Sequence, residues 1–219
     1  MRPGETARAW TDVFRRQSRV PDVPAIARRP GEVTIASRVF PRFLAVLTSK
    51  DAPTILDLGP VVGANVAFFG ERLAGKIHVE DLFADIEAHA QRGARGALAG
   101  FLASRLKQEP ETVDGILCWD VFDYLDRSAG QALATRLVQV LRPGGVLIGS
   151  FGTTPVQLTH YTRTALITGD RLSQRTYPAA PVQRTVWVTR DIGKLFVGLS
   201  VAESVLLKSN TRETLFRKP

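Results

Sequence analysis

At 219 residues the chain has room for one α/β domain with some elaboration, and 44% hydrophobic residues are enough for a core. A single cysteine excludes an internal disulfide, and one cysteine with three histidines offers no zinc-site spacing. The net charge of +8 favours anionic partners, but no Lys/Arg run exceeds two residues, which argues against a nucleic-acid footprint. No apolar run reaches ~18 residues and residues 1–5 are polar, so a cytoplasmic protein without a membrane span is the expectation.

Residues 5–18 have the pattern of a short amphipathic helix, with Trp10, Val13 and Phe14 on one face. Pro21 and Pro24 then break it, so residues 1–30 are expected to be an N-terminal helical cap and residues 31–219 the main domain. A second helix is expected over residues 31–49, with Val33, Ala36, Phe40, Phe43, Leu44 and Leu47 facing inward. A short apolar run, Ile55 and Leu56, leads to Asp57, Gly59 and Gly63, and a helix-compatible segment begins at Val66. That is a buried strand, a tight glycine turn and a helix start. Glycines let the backbone approach a ligand, and a helix N-terminus offers N–H groups to an anion. The dinucleotide fingerprint fails here, because Val61 and Ala64 stand where it needs glycine.

Further along, residues 76–82 read as a second strand ending in Glu80 and Asp81, and residues 83–91 as a helix. Residues 96–106 are rich in alanine and leucine and favour helix. Residues 113–125 read as an apolar strand and turn, with Cys118 as a buried thiol. Residues 128–141 repeat leucine and valine at helical spacing, and Pro143-Gly144-Gly145 ends that helix ahead of a strand over residues 146–151. Residues 152–189 form an insertion, in which residues 161–168 and 171–177 flank Gly169-Asp170 as an antiparallel hairpin over the strand ends. A last helix is expected over residues 189–198 with Thr189 as N-cap, and a closing antiparallel pair over residues 200–208 and 211–218.

The Asp57–Gly63 turn resembles the D-x-G-x-x-x-G form of motif I in class I S-adenosylmethionine-dependent methyltransferases. The order of elements from about residue 30 onward is similar to that family, including the Leu-Arg-Pro-Gly-Gly lead at residues 141–145. The resemblance implies a Rossmann-like, seven-stranded methyltransferase sheet with helices on both faces and an antiparallel last strand. It implies S-adenosylmethionine as cofactor, with Asp57, Gly59, Pro60, Gly63 and Asn65 at its methionyl end. It also implies an acid on the ribose hydroxyls, Asp81 in preference to Glu80 because adjacent strand residues face opposite ways. Asp120 falls near the cofactor edge, and Gln108 or Glu109 stands where the adenine would be met. The third strand of the family, with its adenine-binding acid, has no counterpart in the helix-favouring segment 96–106.

The activity implied is methyl transfer to a small-molecule acceptor. Alternatives are an RNA or protein acceptor, or a degenerate member that binds without turnover. Ligands of open α/β sheets sit beyond the carboxyl ends of the strands. Candidates there are Asp120, Asp123, Tyr124, Thr153, Thr154 and His160, with His160 and Asp120 as the catalytic candidates. Tyr161, Tyr177 and Trp187 either line an aromatic pocket or pack the hairpin.

Overall fold

The computed structural model describes residues 31–219. The amphipathic helix read over residues 5–18, and the cap as a whole, lie outside the described residues. In chain order the elements are β1 (Glu32–Ala36), α1 (Phe40–Thr48), β2 (Thr54–Asp57), α2 (Gly63–Leu73), β3 (Lys76–Val79), α3 (Leu82–Gln91), α4 (Leu98–Arg105) and β4 (Val113–Trp119). Then follow α5 (Arg127–Val140), β5 (Leu141–Gly152), β6 (Gln157–Leu166), β7 (Arg171–Gln183), α6 (Thr189–Leu195), β8 (Ser200–Leu206) and β9 (Thr211–Arg217). None of the described helices is long and apolar enough to cross a membrane.

The main sheet has the order β3-β2-β4-β5-β9-β8. Strands β3, β2, β4 and β5 are parallel, and β9 runs antiparallel to both β5 and β8. Successive strand residues point to opposite faces. Leu56, Ile116, Cys118, Leu147 and Phe216 therefore join the core under α3, α4, α5 and α6. Ile55, Leu117, Trp119, Ile148 and Leu215 join the core under α1 and α2. All seven residues of β4 are buried, which fits a central strand covered on both faces. The Cys118 thiol is fully enclosed, and burial pushes its pKa well up.

The sheet has six strands among the described residues, not the expected seven. The alanine-rich segment after α3 forms a 3-10 turn and α4 where a third parallel strand was implied. Helix propensity prevails there, and β3 becomes a short edge strand with Lys76 and His78 exposed.

Residues 31–49 are not one helix. Val33-Thr34-Ile35 are β-branched and pair with β7, Ile35 opposite Leu172. Ser37 then ends the strand. Its hydroxyl accepts from Phe40 N at 3.0 Å and donates to Glu213 on β9 at 3.1 Å. Helix α1 starts only at Phe40, with Pro41 in the first turn where its missing N–H is harmless. Phe40, Phe43 and Leu47 are buried as expected, whereas Val33 is 59% exposed.

The hairpin forms, and it is longer than the pattern indicated. β6 and β7 pair from Leu166↔Leu172 at the turn to Gln157↔Gln183. With β1 they make a second, three-stranded sheet, β1-β7-β6. Thr189 opens α6 as its first residue, and Val188 occupies the cap position without a side-chain bond.

Candidate functional site

Asp57 holds the glycine turn together. Its Oδ1 accepts from Gly59 N at 2.9 Å and Trp119 Nε1 at 2.6 Å, and its Oδ2 from Asn65 Nδ2 at 3.3 Å. Burial pushes this carboxyl up from the ordinary range, and the three donors pull it back. Asp57 and the buried Asn65 thus face inward, to the turn and the hairpin. Asn65 Nδ2 also donates to Thr164 O at 3.0 Å, and its Oδ1 accepts from Leu166 N at 2.8 Å. Pro60 is buried beside Gly59. Gly63 and Ala64 are exposed, no side chain caps the first turn of α2, and the space beside Gly63 is open.

At the end of β3 the two acids have different tasks. Asp81 caps α3, accepting from Ala84 N at 3.1 Å. Glu80 follows β3 directly, and its carboxylate meets Arg105 Nη1 at 2.7 Å and Gln108 Nε2 at 2.9 Å. Arg105 also donates to Asp85 at 2.8 Å. The Gln108 Oε1 is enclosed without a partner, while Glu109 is exposed.

Trp119 ends β4 with φ of 48°, a left-handed conformation uncommon for a bulky residue. Its indole packs against the turn, so that a Cβ on Gly59 would stand 2.7 Å from Trp119 Cδ1. Sequence reasoning missed this residue, although the signal was present: a tryptophan directly before Asp120 at the end of the buried run.

Asp120 and Asp123 follow, beside a polar cavity of about 180 Å³ that also takes Thr162 and Thr164 of β6 and Arg184 after β7. Asp120 Oδ1 is enclosed without a partner. Asp123 accepts from Gly152 N at 3.0 and 3.2 Å and pairs with Arg184 at 2.9 Å. Burial raises the Asp120 carboxyl to about 6. Burial, and next the Asp120 charge, raise Asp123 to about 7. Arg184 was not foreseen, since nothing in its local sequence marks it.

Other candidates lie away from this cavity. His160 is exposed on β6, its Nδ1 engaged with Thr159 Oγ1 at 2.9 Å, and it does not line the cavity. Only its carbonyl turns inward, accepting from Tyr124 OH at 2.9 Å. Thr153 Oγ1 donates to Asn210 O at 2.8 Å. Trp187 is core, packed on Gly130 and donating to Phe122 O at 3.1 Å.

No family model and no curated protein matches the chain by sequence. The PH0226 protein of Pyrococcus horikoshii OT3 superposes with a TM-score of 0.50 at 14% identity, over 81% of this chain and 87% of that one. Together with the parallel set β3-β2-β4-β5 closed by an antiparallel last strand, this settles the architecture. The chain has a Rossmann-like α/β fold. A Mesorhizobium loti S-adenosylmethionine-dependent methyltransferase gives a TM-score of 0.49 at 13% identity, over 82% of this chain and 97% of that one. The Burkholderia thailandensis 1,6-didemethyltoxoflavin-N1-methyltransferase gives 0.48 at 16%, over 83% and 79%.

Within this fold, the polar groups around the end of β3 and the start of α2 fit S-adenosylmethionine in chemistry. Glu80 and the unpaired Gln108 Oε1 are acceptors side by side, suited to ribose hydroxyls and an adenine amino group. The open start of α2 suits a carboxylate. The Trp119 indole fills the space in which a side chain at position 59 would stand, so the turn takes only glycine there.

Proposed function

We propose that the chain transfers a methyl group from S-adenosylmethionine to a small-molecule acceptor, with Asp120 taking the acceptor proton. The observation that carries the reading is the Asp120–Asp123 pair at the carboxyl ends of β4 and β5, one oxygen unpaired and both carboxyls raised toward neutrality. A base works best when its pKa lies near the working pH. Bound cofactor would supply an electrophilic methyl group. Asp123 is fixed by Gly152 N and Arg184, and the Asp120 charge beside it helps keep the Asp123 proton in place, so that Asp120 is the carboxyl that ionises first. Asp120 replaces His160 as the favoured base, since the exposed His160 imidazole lies outside the carboxylate cavity. The domain assignment, residues 1–30 as an N-terminal cap segment and residues 31–219 as the catalytic unit, belongs to the same proposal.

Calorimetric titration with S-adenosylhomocysteine tests it. Binding is expected for the wild type. Glu80→Gln should weaken it by about 1.5–3 kcal/mol, the worth of a hydrogen bond to a charged group. Arg105 keeps Asp85 in that variant, so the fold should hold. Absence of heat with the wild type at high ligand concentration would decide against this reading, in favour of a fold that binds no cofactor.

A further inference from the structure

A second cavity, of about 240 Å³, lies between α3 and the β6–β7 hairpin. At about 30 Å³ per water this is room for about eight waters, or for a ligand of one or two rings. Its walls are apolar and aromatic: Phe83 and Ile86 of α3, Tyr124 after β4, Tyr161 of β6, and Ala180 and Val182 of β7. The rings are already ordered. Phe83 meets Tyr124 edge-on at 5.0 Å and stacks on Tyr161 at 5.7 Å, and Tyr161 stacks on Tyr177 at 5.5 Å.

Arg163 of β6 lies in the same wall. Its guanidinium sits 4.6 Å above the Tyr177 ring, and its Nη2 donates to Tyr161 OH at 3.3 Å. Its Nε is enclosed without a partner, and no described carboxylate pairs with it. The two acids of the wall are engaged elsewhere. Glu87 accepts from Ala180 N at 2.9 and 3.1 Å, and Asp81 caps α3. Arg95, the other wall cation, donates to Pro181 O at 3.1 Å. The cavity therefore combines flat aromatic surface with guanidinium donors that lack an anion among the described residues. Guanidinium and carboxylate match in plane and charge.

We infer that this cavity binds a planar aromatic molecule carrying a carboxylate, its ring against Phe83 and Tyr161 and its anion on Arg163. The binding claim stands without methyl transfer. That such a molecule is the acceptor rests on the function proposed above.

The test uses the full chain, 2-naphthoate and its neutral isostere 2-naphthamide, titrated by calorimetry. Naphthoate is expected to bind at least about tenfold more tightly than naphthamide, a factor worth about 1.4 kcal/mol. Arg163→Met should abolish that preference, and Arg163→Lys should keep part of it. Ala180→Leu fills the cavity without touching the guanidinium, and should weaken both ligands. Equal affinity for the two ligands, or naphthoate binding that survives both Arg163→Met and Ala180→Leu, would overturn the inference. Competition between naphthoate and S-adenosylhomocysteine would also overturn it, by making the cavity part of the cofactor crevice. Failure of naphthoate with the homocysteine product still bound sinks only this site. The reverse result sinks only the methyl-transfer reading.

Discussion

Asp120→Asn is expected to slow turnover by about 10²–10⁴-fold while making the folded chain more stable above about pH 7. The rate effect follows if Asp120 accepts the acceptor proton, because an amide has no basic lone pair to offer. The stability effect follows from linkage. A carboxyl with its folded pKa raised above the ordinary 3.8 holds a proton that the unfolded chain has already lost. Stability therefore falls as pH rises from about 4 through about 7, the range over which Asp120 and Asp123 are ionised in the unfolded chain but still hold protons in this cavity. The amide removes one buried charge and relieves the neighbour, a gain on the order of 2 kcal/mol at pH 8. The two carboxyls titrate as a pair, so the wild-type rate should rise with pH across about 6–7 with no step assignable to one residue. Single-turnover rates and urea unfolding at pH 5 and pH 8 provide the measurements. A normal rate in the variant would remove Asp120 as base. A variant less stable than wild type at pH 8 would contradict the strain assigned to the pair.

The second large effect is on stability. Asn65→Ala should destabilise the fold by about 2–6 kcal/mol, at about 1–3 kcal/mol for each of two buried groups left unpaired. Those groups are Thr164 O and Leu166 N, both on β6 and both bonded to the Asn65 amide. The same substitution removes a donor from Asp57, whose burial already opposes its charge. Asn65→Asp is a sharper probe. It keeps an acceptor for Leu166 N but sets a second carboxylate against Asp57, so its deficit should grow with pH. Urea denaturation of both variants, with amide exchange along β6, would measure this. A loss under about 1 kcal/mol, with β6 amides still protected, would show that the hairpin is held by its packing alone.

Much of the architecture follows from patterns that act over a few residues. The short apolar runs before Asp57 and over residues 113–119 have to be buried strands. Leucines and valines at helical spacing make α5, with Asp126 accepting from Ala129 N at 2.8 Å as its cap. Gly169-Asp170 marks the hairpin turn, and the alanine-rich segment 96–106 declares itself helical against the strand that the resemblance implied. In each case intrinsic propensity and apolar periodicity agree, and no distant partner is needed to choose between helix and strand.

The tertiary structure decided what depends on distant partners. Residues 32–36 carry both a helix-like period and β-branched side chains, and only the free edge of β7 resolves the choice in favour of strand. Glu80 and Asp81 are equivalent by type. Their tasks separate because Arg105 and Gln108 approach one while the start of α3 claims the other. The indole on Gly59 comes from 60 positions away and bonds to Asp57 across a separation of 62 residues, and Asn65 reaches its hairpin partners across 99 and 101. Arg184 and Arg163 become members of two cavities only because the hairpin folds back over the strand ends. A local pattern specifies which face of an element is apolar. Which polar side chains meet across the cleft is set by how those faces pack, and the chemistry of this protein lies in those meetings.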